Sequence, residues 1–207
     1  MKRSTLYRMI VVVILCAVPL LIAAAKVGDA APDFSATTST GKTVRLADYR
    51  GKYVVLEWHN NGCPYVGKHY NSGNMQRLQK QWTGQGVVWF TILSSAPGKQ
   101  GYLTASDENN YLTKMQAAPT AALLDPTGEI GHLYDAKTSP QMVVINPQGV
   151  VIYNGAIDDR PTTDLQDVQG ATNYVSLALE QAMAGKPVET AATRPYGCSV
   201  KYPGFFD

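Results

Sequence analysis

Cysteine and histidine are scarce in this chain: three of each among 207 residues. Cys16 sits in an apolar N-terminal run, which leaves Cys63 and Cys198 for a mature domain. One cysteine near scattered His59, His69 and His132 makes a poor closed metal site, so no metal is expected, and no other cofactor either. Long low-complexity tracts and internal repeats are missing, and the length suits one compact domain. Positive charge is also thin. Lys2, Arg3 and Arg8 precede the uncharged run from Ile10 to Ala25, and Ala23, Ala24 and Ala25 offer a small-residue cleavage site. This is the layout of a secretory signal peptide. An uncleaved anchor is the other reading, although the run is short for spanning. Leu15 precedes Cys16 where a lipidation signal would want a small residue. Loss of the leader turns the formal charge of +2 into −1. No basic face for nucleic acid or acidic lipid then remains, and membrane contact is expected only through the N-terminal segment.

The expected plan is a leader over 1–25, a domain over 26–187 and a tail over 188–207 that carries Cys198. Export implies a periplasmic or secreted protein in an oxidising setting, where a lone cysteine pair is a disulfide candidate. A hairpin is predicted around Ser39 to Lys42, and a buried strand over 53–59, "YVVLEWH". After Asn60, Asn61 and Gly62 comes Cys63, then Pro64, which suits the first turn of a helix. Val66, Tyr70, Met75, Leu78 and Trp82 continue at helical spacing, weakened at Gly67 and Gly73, to an end near Thr83. A strand over 86–95, a helix over 106–115 with Asp107 and Glu108 favouring its start, a strand over 120–125 and a short helix over 129–135 follow. Strands over 141–146 and 150–155 and a helix over 173–186 close the domain. Asp158, Asp159, Arg160, Asp164 and Asp167 read as a solvated loop, and the tail carries little pattern. The alternation predicts an α/β domain with helices on a mixed sheet.

Three segments resemble the thioredoxin fold in its peroxiredoxin-like (AhpC/TSA-type) and TlpA-like redoxin branch. They are "VVLEWHNNGCP", "SPQMVVINPQGVVIYNG" and the opening "GDAAPDFSATTSTGKTVRLADYRGKYVVLEW". The resemblance implies a thioredoxin-like mixed sheet flanked by helices, with an N-terminal β-hairpin extension. It puts Cys63 in the first-cysteine position and implies that Ser139-Pro140 is a cis-proline loop lying against it. It also departs from both branches. The second cysteine of C-x-x-C is replaced by Val66, and Asn60 stands where a peroxidase has a hydroxyl that orients peroxide. By the same resemblance Lys137 takes the neighbourhood of a thiolate-stabilising arginine.

The residues themselves point to thiol chemistry. A thiol reacts as its thiolate, with an unperturbed pKa of about 8.5, and a helix N-terminus lowers that value. His59, Lys68 and His69 could add positive potential around Cys63. The expected site is therefore Cys63 and Cys198 as catalytic thiols, with Asn60, Pro64, Lys137, Ser139 and Pro140 against the substrate. The leading expectation is peroxide reduction: Cys63 becomes a sulfenic acid, Cys198 condenses with it, and an external dithiol resets the disulfide. A thiol–disulfide oxidoreductase acting on exported proteins is the alternative. A non-enzymatic binding module stapled by a Cys63–Cys198 disulfide is the third reading.

Overall fold

The computed structural model of the chain describes residues 24–204, so the leader reading for 1–23 lies outside the described residues. Ala25, assigned to the leader by its sequence, is buried in the core, and its N–H donates to the Leu133 carbonyl at 2.9 Å.

The hairpin β1 (Ser35–Thr38) and β2 (Thr43–Arg45) opens the fold, its tight turn using Gly41 at φ 80°. Then come β3 (Val54–Trp58), α1 (Pro64–Asn71), α2 (Asn74–Thr83), β4 (Val88–Leu93) and α3 (Ala105–Met115). The chain continues through β5 (Ala121–Leu124), α4 (Glu129–Leu133), β6 (Thr138–Ser139), β7 (Met142–Ile145), β8 (Val151–Gly155), α5 (Tyr174–Met183) and β9 (Cys198–Ser199). Seven strands form one mixed sheet in the order β2-β1-β5-β4-β3-β7-β8, with β3, β4 and β5 parallel and the outer pairs antiparallel. This is the expected α/β architecture with its N-terminal hairpin.

Strand β3 explains the layering. All five of its residues are buried, as in a strand covered on both faces. Val54, Leu56 and Trp58 join Phe90, Ile92, Leu123 and Val143 in one core. Val55 faces the other side, where Cys63, Val66, Tyr70, Met75, Leu78, Trp89, Val144 and Leu179 form a second core under α1, α2 and α5. The sheet thus delivers Cys63 at the C-terminal edge of β3, one short turn beyond Trp58.

Three expectations need correction. The helix over 64–83 is two helices, because Gly73 takes a left-handed φ of 73° that ends one and starts the next. Asp107 and Glu108 do lie in the first turn of α3, as expected; Glu108 is also fully buried, and Thr104 caps that helix by accepting from the Asp107 N–H. The acidic loop is only partly solvated: Asp158 is 2% exposed because Lys68 and His69 of α1 reach it. The tail is not featureless. It forms β9 against β6 and is seated by glycines. A Cβ on Gly155 would lie 2.2 Å from Thr193 Oγ1, and one on Gly131 would lie 2.3 Å from the Tyr202 hydroxyl.

Candidate redox site

Cys63 is the N-cap residue of α1, with Pro64 at the first helical position. Its carbonyl accepts the first helical bond from Gly67 N–H at 2.8 Å, and its own N–H closes the preceding turn on Asn60 O at 3.0 Å. The side chain does not cap the helix. It turns instead to the Ser139 carbonyl, to which the thiol donates at 3.1 Å. Cys63 is 1% exposed. The Ser139–Pro140 bond is cis.

Cys198 lies on the other side of Ser139. Strands β6 and β9 form a two-residue antiparallel ladder that pairs Thr138 with Ser199 and Ser139 with Cys198. Gly197 approaches so closely that a Cβ there would lie 2.1 Å from Ser139 O, and its φ of 140° disfavours any side chain. The Cys198 thiol is half-buried and within hydrogen-bonding reach of Cys63; both are free thiols. Burial first, and then the neighbouring Cys63, push the Cys198 thiol well above its ordinary value, against a smaller opposing pull from Lys201. Cys198 is therefore held protonated beside its partner.

The other expected site residues fall into two groups. Pro64, Ser139 and Pro140 frame the two thiols. Asn60 and Lys137 serve elsewhere. The Asn60 Oδ1 accepts from Gly62 N–H at 2.9 Å and its Nδ2 donates to Gln100 O at 3.3 Å, while Gln100 Nε2 returns to Gly62 O at 2.9 Å. That amide braces the turn before Cys63. The Lys137 ammonium is exposed and paired with Asp135 at 2.8 Å, so it gives Cys63 no cation. The histidines do not supply one either. Burial drives His59 down to about 3, and burial with the nearby Lys68 charge drives His69 down to about 3, so both are neutral. Among the described residues no three His, Cys, Asp or Glu side chains are grouped to hold a metal.

Sequence reasoning passed over Glu57, the lone charge in a run of buried apolar residues. Its Oε1 accepts from Tyr70 Oη at 2.8 Å, and its Oε2 from Trp89 Nε1 at 2.7 Å and Gln79 Nε2 at 3.1 Å. Burial raises this carboxyl above its usual range, and the donors offset part of that rise. The lone acid in "VVLEWH" was the available signal.

A free thiol at a helix start, a second thiol beside it and a cis-proline loop between them define a thiol-dependent oxidoreductase on a thioredoxin-like sheet. The chain belongs to the AhpC/TSA family, whose model matches residues 27–154. It is similar to the probable glutathione peroxidase 8-B of Xenopus laevis, 27% identical over 154 residues, covering 67% of this chain and 71% of that protein. It is also similar to the thiol-disulfide oxidoreductase ResA of Bacillus subtilis (strain 168), 26% identical over 125 residues, with 60% and 64% covered. An uncharacterized conserved protein from Geobacillus kaustophilus shares the fold, with a TM-score of 0.75 at 24% identity over 86% of this chain and 93% of that one. The match to the family model ends before Cys198.

Proposed function

We propose that the protein is an exported thiol–disulfide oxidoreductase whose redox pair is Cys63 and Cys198. The observation that carries this reading is the β6·β9 ladder, which sets Cys198 against Cys63 across 135 residues of chain. Val66 stands where a C-x-x-C helix has its second cysteine, and the tail brings the missing thiol through space. Cys63 attacks a partner disulfide as the thiolate, forming a mixed disulfide and releasing one partner thiol. Cys198 then gives up its proton and attacks the Cys63 sulfur of that mixed disulfide. The second partner thiol leaves, and the two electrons gained by the partner come from the Cys63 and Cys198 thiols, which are oxidised to the new disulfide. An external dithiol restores the pair. An open pocket of about 630 Å³ beside the tail, reaching Thr138, Tyr196 and Gly197, offers room for an incoming segment. The leader expected from the sequence supports action outside the cytoplasm.

Peroxide reduction, the leading expectation from sequence, becomes the second reading. Asn60 bonds within its turn and Lys137 pairs at the surface, so neither residue standing at a helper position supports the peroxide reading. The burial of Cys63 favours this second reading, since peroxide is small enough to reach a thiol that a partner protein reaches only when the tail moves.

The test is trapping. A Cys198→Ser chain mixed with a disulfide substrate should hold a stable mixed disulfide at Cys63, while the parent chain releases both partner thiols and shows a Cys63–Cys198 bond by mass spectrometry. An empty trap, together with peroxide consumption by the parent, would reverse the order of the two readings.

A further inference from the structure

Beside the thiol pair lies a buried polar cluster that ties three distant segments together. Lys68 and His69 come from α1, Asp158 and Arg160 from the loop after β8, and Tyr196 from the tail. The Tyr196 hydroxyl donates to Asp158 Oδ1 at 2.5 Å. It accepts from Lys68 Nζ at 3.2 Å, and Lys68 also donates to Arg160 O at 2.5 Å. Lys68 Nζ lies 3.7 Å from Asp158 Oδ1, with both side chains essentially unexposed.

The direction of the remaining bonds follows from chemistry. Arg77 donates to Asn74 Oδ1 at 2.7 Å, so the Asn74 Nδ2 is what faces His69 Nδ1 at 2.8 Å. The Nδ1 therefore accepts, and in a neutral imidazole the Nε2 carries the proton. Nε2 donates to the Tyr196 hydroxyl at 3.2 Å, which passes its own proton toward Asp158. Every group in the chain Arg77, Asn74, His69, Tyr196, Asp158 thus has one defined role, and the chain passes through the tail at Tyr196. Tyr65 adds a ring contact to Tyr196 at 5.8 Å.

Tyr196 is two residues from Cys198, a span of at most about 7 Å. Gly197 between them is pressed on Ser139 O. Beyond Cys198, Val200 N–H bonds Lys137 O at 3.0 Å and the Tyr202 hydroxyl bonds Ala136 O at 2.6 Å. Cys198 is thus fixed on both sides, and the Tyr196 anchor is the nearer side-chain anchor of the two. We infer that Tyr196, held by Asp158, Lys68 and His69, is a positioning residue that keeps Cys198 at Cys63 and so sets the effective concentration of the second thiol. This rests on the redox-pair reading above.

The experiment equilibrates the full chain with reduced and oxidised glutathione. Two protein thiols are oxidised to one disulfide while one glutathione disulfide is reduced to two glutathione thiols. The bridged fraction at each ratio gives the effective concentration. Tyr196→Phe keeps the ring and removes the hydroxyl, and should lower that concentration about tenfold or more, equal to ~1.4 kcal/mol per tenfold. The control is Tyr134→Phe, which removes a buried hydroxyl bonded to Pro32 O at 2.7 Å in the other core. It should cost similar thermal stability and leave the glutathione curve in place. A Tyr196→Phe curve within twofold of the parent overturns the positioning role, as does an equal shift in Tyr134→Phe. Should Tyr196→Phe not fold, Asp158→Asn is read against the same threshold. A parent chain that never bridges at any ratio overturns the redox pair itself, and the positioning role with it.

Discussion

Cys63 and Cys198 reach the same spot by opposite routes. Cys63 is fixed by local structure: a strand buried on both faces, a braced turn and a proline-started helix. Cys198 arrives on a two-residue strand at the end of a tail, and its place depends on partners that lie far away in sequence. The first route makes a rigid nucleophile. The second makes a thiol whose place is only as secure as those distant contacts, since a two-residue ladder opens at a lower free-energy cost than the central sheet.

Removing one thiol at a time gives the largest effect. Cys63→Ser should abolish disulfide exchange to background, because Cys198 is held protonated and lacks the helix start. Cys198→Ser should keep the first attack and lose only the release. Equal loss in both variants at the step of mixed-disulfide formation, read by mass spectrometry, would break the division of labour.

The core behind Cys63 should also set how stability depends on pH. Glu108 is buried without a hydrogen-bond partner, and burial raises it to about 8, with the Glu57 charge adding to the rise. A raised carboxyl stabilises the fold fully below its unfolded value of about 4.5 and loses that contribution as pH climbs toward 8. The full span is on the order of 5 kcal/mol. Glu108→Gln should flatten the loss between pH 5 and 8 in denaturant titrations. His69 in the cluster that holds the tail carries the opposite burden, since its lowered value loses stability as pH falls rather than rises. An unchanged slope in Glu108→Gln would remove Glu108 as its source.

Gly197→Ala comes next. The added Cβ meets Ser139 O and the φ of 140° strains any side chain. Strain of about 1–3 kcal/mol should weaken the β6·β9 ladder and lower Cys63–Cys198 bridging roughly tenfold to a hundredfold. Hydrogen exchange in β3 and β4 should not change. Faster exchange throughout the sheet would show that the tail is part of the core's cooperative unit.

The same division explains what the sequence made legible. The strand before Cys63, the turn at Asn61 and Gly62 and the helix begun by Pro64 are signalled by residues adjacent to one another, and the redoxin pattern repeats those signals. The tail is written differently. Tyr196 finds Lys68 at a separation of 128 residues, and Gly155 is small because Thr193 lies over it. Neither relation has a local pattern. Asp158 was misread for the same reason: an acid in a loop looks solvated until a buried lysine from another helix is brought to it. Asn60 and Lys137 were placed by analogy with relatives, and what their side chains bond to in this chain depends on Gln100 and Asp135.

The smallest effect expected is an absence of change. His59 lies in the core beside Glu57, its Nδ1 3.9 Å from Oε1, and His69 lies in the cluster that holds the tail. Both are lowered to about 3 by burial, with the Lys68 charge also acting on His69. A lowered imidazole contributes stability above its unfolded value of 6.5 and loses it as pH falls toward 3, the reverse of Glu108. Between pH 8 and 5 neither ring resonance should shift in an NMR titration. The two histidines need not fail together. If His69 titrates near 6.5 while His59 stays fixed, water reaches the Tyr196 cluster while the core behind Cys63 stays closed, and the tail opens as a separate unit. If His59 titrates as well, the contrast between a rigid nucleophile and a movable second thiol is lost, because the core that fixes Cys63 is then no drier than the tail that brings Cys198.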